Sequence, residues 1–357
     1  MGVRSISAIL LAAAVLLGGV AEQAHAAKPR SPALRVLAIS PKGQAPGDAT
    51  IGLRFSAPLA PITARSEPRL SPRAAGSWSE PNPTTLSFTP SGAYLPGTVV
   101  HVTVPKALAA AEGAKLRRPV TATFQVQDGS TVRLAQLLAE LRFLPVHLIS
   151  SAHQPRPGDT ARQLRAIFQP PAGRLRLGAD WPAELRDLWN HDASTVLRGA
   201  VMAFESQHGL AMDGVPSTAL WGALLSARAH RQFNDGGYNY AVATESGPES
   251  LTVFHNGRAV VRTPANTGIG GRGTAPGTFP VFERLRSQVM RGTNPDGSQY
   301  ADLVQWVAYF NGGDAVHYMP RASYGSPQSL GCIELPYAAA EQAWGYLTYG
   351  TLVTVLS

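Results

Sequence analysis

The C-terminal third of the chain is best understood from the segment SLGCIEL at residues 329–335, which contains the only cysteine of the 357 residues, Cys332. A lone cysteine is either a reactive thiol or a small buried apolar side chain. As a nucleophile it needs a base within hydrogen-bond reach and donors aimed at the developing oxyanion. The segment AVHY at residues 315–318 supplies a candidate base, His317, fifteen positions before the cysteine. We therefore predict that Cys332 and His317 form a nucleophile and base pair.

The residues before the cysteine fit a nucleophile held at a sharp turn. Gly331 has no Cβ, so it permits unusual backbone angles and a close approach of substrate to the thiol. The backbone N–H groups of Gly331 and Cys332 are therefore candidate oxyanion donors. Ser329 has two interpretations, as a side chain that hydrogen-bonds within the turn or as an ordinary turn residue. His255, the other histidine of this third of the chain, adjoins a turn and is expected to face solvent.

The pattern around these residues predicts a mainly β domain at residues 238–357. Asn256-Gly257 lies between two apolar runs, which is the strongest short-range signal for a hairpin. A helix is expected between Pro336 and Tyr346, because proline is well suited to a first helical turn. The strands are expected at residues 251–254, 259–263, 277–282, 304–310, 315–318 and 351–356.

The motifs of this domain resemble those of the catalytic domain of bacterial L,D-transpeptidases. That family carries a histidine, a loop and then S/T-H-G-C, followed by an apolar residue and an Arg or Asn; this chain has His317 and then SLGCIEL. Upstream, NTG at 266–268 and GTAPGTF at 273–279 resemble the family's T-G and T-P-x-G-x-F segments. GTLVTV at residues 350–355 resembles its closing strand. The resemblance extends over residues 238–357.

The resemblance implies a two-step acyl transfer on peptidoglycan stem peptides. The Cys332 thiolate attacks the carbonyl of the diamino acid in a tetrapeptide stem, releases D-alanine and forms a thioester. An acceptor amine then converts the thioester into a new cross-link, with His317 moving the protons. The family's histidine is oriented by a main-chain carbonyl, which here is that of Tyr318. Carbapenem β-lactams, which mimic the acyl donor, are implied inhibitors. Neither a cofactor nor a metal is expected, because the histidines lack metal-ligand spacing.

Three residues depart from the family's pattern. Leu330 stands where many members have a second histidine, Glu334 where many have Arg, and Tyr318 where Gly is common. Leu330 removes a possible oxyanion or substrate contact, so the rate or the choice of substrate is expected to differ. Cys332 and His317 are retained, which favours a working site over a decayed one.

Three more residues are candidates for substrate binding. Arg321 lies in the loop between base and nucleophile, where it either pairs with a stem carboxylate or stays solvated. Tyr324, in the same loop, and Asn311, before the histidine strand, are candidates for lining the cleft.

Other functions remain open on the sequence alone. An L,D-carboxypeptidase would use the same scaffold and differ only in letting water resolve the thioester. A non-catalytic wall-binding protein would keep the fold and lose the chemistry. Sortase-type enzymes need an Arg after the nucleophile, and none follows Cys332. Cys/His wall hydrolases place the cysteine before the histidine, the reverse of the order here.

The N-terminal part of the chain has short strand-like runs separated by Pro/Gly turns, which predict a β-sandwich at residues 34–127. The segment LRFSAPL at residues 53–59 resembles an early strand of bacterial Ig-like domains, which implies a spacer or docking module. The runs are at residues 34–39, 50–55, 84–88, 99–104 and 120–126.

Helical periodicity replaces the strand pattern at residues 131–227. Four leucines recur at i, i+3, i+4 and i+7, namely Leu134, Leu137, Leu138 and Leu141. The order V-x-x-F-x-x-x-x-G-L-x-x-D-G-V from Val201 resembles the small helical peptidoglycan-binding domain. In that pattern Gly209 follows one helix and Ser217 caps the next. Residues 154–187 fit poorly and are interpreted as an insertion.

The N-terminus predicts export. Arg4, an apolar run at residues 6–20 and Ala24-His25-Ala26 form the parts of a signal peptide over residues 1–26. The run is shorter than the ~20 apolar residues that span a bilayer, and an uncleaved anchor is the alternative. The net charge of +8 suits polyanionic cell-wall polymers, whereas no basic stripe interleaved with aromatics points to nucleic acid. We expect a secreted, wall-associated protein in the cell envelope, with no stable membrane span after signal cleavage.

Overall fold

The computed structural model describes residues 32–150 and 152–357. The expected signal peptide at residues 1–26 lies outside the described residues. The described part of the chain is mainly β, with 19 strands and six helices. None of those six helices is both long enough and apolar enough to cross a membrane.

Eight strands at the N-terminal end form two four-stranded sheets around a shared apolar core. They are β1 (Val36–Ser40), β2 (Gly43–Ala45), β3 (Ile51–Phe55), β4 (Arg69–Ser71), β5 (Gly76–Asn82), β6 (Thr85–Pro90), β7 (Val99–Val104) and β8 (Val120–Val126). One sheet has the order β1-β3-β6-β5 and the other β2-β8-β7-β4. Side chains alternate as a half-buried sheet requires: in β7, Val100 and Val102 are buried while Val99 and His101 are exposed.

The sequence pattern predicts five of these strands and misses β2, β4 and β5. β2 and β4 have three residues each, which is too short to show an alternating pattern. β5 exposes nearly all of its side chains, so it carries no apolar signal. The assignment of residues 34–127 to an Ig-like module stays a prediction.

Five helices and a two-stranded ribbon follow. They are α1 (Thr131–Glu140), β9 (Val146–Ile149), α2 (Thr160–Phe168), β10 (Arg174–Leu177), α3 (Ala183–His191), α4 (Ala193–Gln207) and α5 (Thr218–His230). The four leucines at helical spacing are buried in one core with Phe204 and Trp221. The Ser217 side chain accepts the Leu220 N–H at 3.1 Å and caps α5, as expected. The peptidoglycan-binding assignment of residues 131–227 stays a prediction.

The helical region shares its core with the C-terminal domain. Tyr240 and Leu352, from two strands of that domain, belong to the same buried cluster as Phe204 of α4. The two backbones are in contact at Gly199 and Gly350. A Cβ built on Gly199 would lie 2.6 Å from the carbonyl oxygen of Gly350, and a Cβ built on Gly350 would lie 2.1 Å from the carbonyl oxygen of Gly199. α4 is therefore held directly against the C-terminal domain.

The C-terminal domain consists of two sheets and one helix. Its elements are β11 (Asn239–Thr244), β12 (Ser250–His255), β13 (Arg258–Pro264), β14 (Gly277–Pro280), β15 (Glu283–Thr293), β16 (Gln299–Asn311), β17 (Asp314–Tyr318), β18 (Ile333–Leu335), α6 (Tyr337–Tyr346) and β19 (Leu352–Leu356). One sheet has the order β13-β12-β11-β19-β14 and the other β15-β16-β17-β18. The expected hairpin turn is present, with Asn256 and Gly257 both at positive φ.

A long hairpin of β15 and β16 differs from the sequence expectation. The pattern predicts a single strand at 304–310, whereas β16 begins at Gln299 and pairs with β15 along its length. β15 has no buried side chain, so its sequence lacks the apolar alternation that marks a strand. The turn contains Pro295-Asp296-Gly297, a composition typical of hairpin loops. The hairpin forms one wall of the cleft described next.

Candidate active site

The parallel pairing of β17 and β18 brings the predicted base and nucleophile together. His317 pairs with Glu334 in the strand register, and Cys332 immediately precedes β18. Neighbouring strands lie about 4.8 Å apart, so residues 15 positions apart in sequence become neighbours in space. His317 and Cys332 both line a cleft of about 710 Å³.

The His317 ring is buried and oriented. Its exposed fraction is 3%, and Nδ1–H donates to the main-chain carbonyl of Tyr318 at 3.0 Å. That hydrogen bond leaves Nε2 as an acceptor, which is the state that a general base requires. Burial lowers the pKa of His317, while the Glu334 carboxylate opposes this effect. The ring is therefore neutral at neutral pH.

The surroundings of Cys332 favour the protonated thiol. Its Sγ lies 3.7 Å from the Gly313 carbonyl oxygen, to which S–H donates. Burial raises the pKa of the thiol to about 12, and the nearby Asp314 and Glu334 carboxylates act in the same direction. A preformed thiolate is thus disfavoured, so a nucleophilic role for this thiol would require a base.

The turn before the cysteine is fixed by Ser329. Its Oγ accepts the Gly331 N–H at 3.2 Å and donates to the Cys332 carbonyl at 2.5 Å. Gly331 has φ of +126°, a conformation that favours glycine. Because Ser329 occupies the Gly331 N–H, that group is not available as an oxyanion donor in this state. The Cys332 N–H has no hydrogen-bond partner among residues 32–150 and 152–357, and it remains a candidate donor.

Arg321 is bound to Glu334 instead of standing free in the cleft. Its Nε and Nη2 donate to the two carboxylate oxygens at 2.7 and 2.6 Å, and the Glu334 side chain is 5% exposed. Nη2 also donates to the Gln328 carbonyl at 3.3 Å. The pair therefore ties the loop between His317 and Cys332 to β18 and neutralises the Glu334 carboxylate.

The remaining predicted residues lie around the cleft in different roles. Leu330 lines it and is half-buried. The Tyr324 hydroxyl donates to the Met319 carbonyl at 2.6 Å and stabilises the loop. Asn311 donates to Asp314 Oδ2 at 3.3 Å. The Tyr318 ring packs edge-on against Tyr337 with centroids 5.1 Å apart, away from the thiol.

The sequence analysis missed several residues of the cleft. Asp314 lines it beside the nucleophile turn, and its position three residues before the histidine is the only signal that could have indicated it. The hairpin contributes Gln288, Asp302 and Tyr309, whose hydroxyl donates to the Gln288 side chain at 2.8 Å. Recognising the Pro295-Asp296-Gly297 turn would have predicted these strands.

A second cavity and the arrangement of possible metal ligands were also compared with the cleft, for the part of the chain that the structure covers. A cavity of about 770 Å³ lies among N-terminal segments and is lined by Leu34, Ser56 and Arg118, but it has neither a cysteine nor a histidine. No group of three or more His, Cys, Asp or Glu side chains is arranged to hold a metal ion in the described ranges. The cleft at Cys332 is therefore the candidate for chemistry.

One family model matches the C-terminal part of the chain. Residues 240–355 match the model of the YkuD family, the L,D-transpeptidase catalytic domain. A search of curated proteins gave no significant match. Solved structures similar to this chain include an L,D-transpeptidase from Mycobacterium smegmatis (14% identity, TM-score 0.31, 92% of this chain and 100% of that one).

Two other similar structures hold β-lactam groups. L,D-transpeptidase 3 from Mycobacterium tuberculosis, with a faropenem-derived adduct, is 14% identical with TM-score 0.31, over 90% of this chain and 98% of that one. The catalytic domain of the E. faecium L,D-transpeptidase acylated by ertapenem is 22% identical with TM-score 0.31, over 34% of this chain and 100% of that one. The assignment rests on the family model, and residues 240–355 of this chain are an L,D-transpeptidase catalytic domain of the YkuD family.

Proposed function

We propose that this chain is a peptidoglycan L,D-transpeptidase with Cys332 as nucleophile and His317 as base. One observation carries the proposal: the lone thiol and a buried, oriented imidazole line the same cleft, in a domain that matches this family. The match supports acyl transfer as the class of reaction, and the cleft contains groups suited to it.

In the proposed first step, the Cys332 sulfur attacks the carbonyl of the diamino acid in a tetrapeptide stem. Nε2 of neutral His317 takes the thiol proton as the C–S bond forms, because burial keeps the thiol protonated until then. The Cys332 N–H is positioned at the nucleophile to stabilise the oxyanion. His317 then gives its proton to the leaving nitrogen, the C–N bond breaks, and D-alanine departs from the thioester.

In the proposed second step, an acceptor amine resolves the thioester. The amine forms a C–N bond with the thioester carbonyl while His317 removes a proton from the nitrogen. The C–S bond then breaks and the sulfur takes the proton back from His317. The product is a new cross-link between two stem peptides. Water in place of the amine would give a carboxypeptidase.

The same proposal implies where the protein acts and what it binds. We expect the chain to be exported to the cell envelope, where its substrate is located, and to contact cell-wall polymers through its positive charge. The N-terminal modules are proposed to act as spacer and wall-binding units. Carbapenems are expected to acylate Cys332, as the β-lactam groups in two similar structures suggest.

The test is product analysis with purified tetrapeptide muropeptides. The unmodified chain should give cross-linked dimers that have lost one D-alanine, and Cys332→Ala and His317→Ala should give none. The matched control is His255→Gln, because His255 lies outside the cleft and binds Asn239 at 2.8 Å. Tripeptide monomers without dimers would instead support an L,D-carboxypeptidase, and unchanged substrate would contradict both enzymatic proposals.

A further inference from the structure

Asp314, at the start of β17, is a carboxylate in the cleft without a cationic partner. Its Oδ2 accepts long hydrogen bonds from Asn311 at 3.3 Å and from the Ala275 N–H at 3.4 Å. Its Oδ1 accepts no hydrogen bond from the described residues. None of the ion pairs within 4.0 Å in the described ranges includes Asp314. A half-buried carboxylate in this state has unused capacity to bind a cation.

Asp314 lies directly beside the nucleophile turn. A Cβ built on Gly331 would come within 2.6 Å of Asp314 Oδ1, so the carboxylate fills the space that any other residue at 331 would need. The same carboxylate contributes to the raised pKa of Cys332. On its own, Asp314 therefore opposes formation of the thiolate and disfavours the first half of the reaction.

Among the described residues, no Lys, Arg or His forms an ion pair with Asp314 within 4.0 Å. Arg321 is the cation nearest the loop, and both of its carboxylate contacts go to Glu334. Arg291 lines the cleft from the hairpin, but it is exposed and forms no ion pair within 4.0 Å in the described part of the chain. The carboxylate of Asp314 is therefore open to a positive charge that a bound substrate brings into the cleft.

We propose that Asp314 binds the primary ammonium group of the acceptor substrate and holds it beside the Cys332 thioester. This inference rests on the proposed transpeptidase function, of which it defines the acceptor site. The position of Oδ1 against Gly331 favours the acceptor over the donor. An ammonium at Oδ1 lies next to the thioester, whereas the free amine of a donor diamino acid is separated from the attacked carbonyl by its own side chain.

The proton balance of the step is complete with the groups present. Of the three ammonium protons, one is lost to solvent when the bound cation becomes a free amine beside Asp314. The amine nitrogen then forms the C–N bond, a second proton passes through His317 to the Cys332 sulfur as the C–S bond breaks, and the third stays on the new amide. No additional reactant is needed.

The experiment compares Asp314→Asn with the unmodified chain in three assays. The rate of Cys332 alkylation by iodoacetamide reports the reactivity of the thiol, and D-alanine release from a tetrapeptide donor reports thioester formation. Resolution of the thioester is measured with a cationic amine acceptor and with hydroxylamine, an acceptor that is uncharged at pH 8. Asp235→Asn is the matched control, because Asp235 is 92% exposed and lies outside the cleft.

Asp314→Asn is expected to speed alkylation of Cys332 and to weaken binding of the cationic acceptor. Alkylation of Asp314→Asn should be faster by about threefold, because a repelling charge beside the thiol is gone. D-alanine release should not slow. KM for the cationic acceptor should rise by about tenfold, while resolution by hydroxylamine stays unchanged. Asp314→Glu should restore part of the acceptor affinity, and Asp314→Ser serves as a second, smaller variant if the amide disturbs folding.

Two results would overturn the inference. Slower reaction with both acceptors, together with slower alkylation, would mean that Asp314 only maintains the turn. An unchanged KM for the cationic acceptor, in a protein that still forms the thioester, would remove the acceptor role and leave the proposed transpeptidase intact. If the unmodified chain formed no thioester with the donor, the proposed function would fail, and the Asp314 role with it.

Discussion

The substitution Arg321→Met should destabilise the C-terminal domain, because it leaves the Glu334 carboxylate buried without a partner. In the native domain that carboxylate is 5% exposed and accepts hydrogen bonds from Arg321 at 2.6 and 2.7 Å. Removing one partner of a fully buried ion pair costs about 3–5 kcal/mol. The Arg321 side chain is 29% exposed, so water can enter the vacated space and hydrate Glu334 in part. We therefore expect a loss of about 2 kcal/mol.

Urea unfolding followed by tryptophan fluorescence measures this loss. Arg262→Met is the matched control, because Arg262 is exposed on β13, and it should change stability by no more than about 0.5 kcal/mol. The double variant Arg321→Met with Glu334→Leu should recover part of the loss, since no buried charge remains. If Arg321→Met cost no more than Arg262→Met, the argument from the buried carboxylate would be refuted.

Three further predictions concern the base, the turn and the domain contact. Burial lowers the pKa of His317, and the neutral ring is the proposed base. We therefore expect kcat/KM to rise with pH, with an apparent pKa below the ordinary histidine value of about 6.5. An apparent pKa above about 6.5 would contradict the assignment of His317 as the base. Gly331→Ala should reduce acylation by about a hundredfold or more, measured as D-alanine release, because alanine disfavours φ of +126° and its Cβ would meet a carboxylate oxygen at 2.6 Å. Gly199→Ala should lower the thermal midpoint and reduce the free energy of unfolding by about 1–3 kcal/mol, because the new Cβ would lie 2.6 Å from the carbonyl oxygen of Gly350. The control is Gly222→Ala, whose new Cβ would have its nearest neighbour at 3.6 Å and which should stabilise α5 instead.

That Cys332 and His317 line one cleft could be predicted from sequence, because the signals are local. The chain has one cysteine, and its C-terminal domain has only two histidines, of which His255 adjoins a turn, so few combinations are left; Gly331 marks the sharp turn before the cysteine. The pairing of β17 with β18 then depends on the apolar residues around His317 and Ile333, which the sequence displays directly. The Asn256-Gly257 turn and the capped start of α5 were predictable for the same reason.

The partners of charged residues could not be predicted. Arg321 and Glu334 are 13 positions apart, and only the fold of the intervening loop decides that they meet. From sequence alone, Arg321 either pairs with a substrate carboxylate or stays solvated, and Glu334 is a departure from the family's pattern. The structure makes the two a single neutral unit.

The cleft wall and the domain contact were missed for two different physical reasons. β15 is polar because one side faces solvent and the other a polar cleft, so no apolar pattern identifies it. The contact between Gly199 and Gly350 joins segments that each appear ordinary in sequence, and close approach of two backbones leaves no periodic signal. Both features are set by tertiary packing.

Mass spectrometry of the protein itself tests whether Cys332 is the nucleophile of an acyl transfer. The chain is mixed with a tetrapeptide donor in the absence of acceptor, quenched in acid and digested. We expect an acyl group on the peptide that contains Cys332, with one D-alanine released for each adduct and none from Cys332→Ala. Release of D-alanine by the Cys332→Ala variant, or an adduct on any other residue, would contradict it.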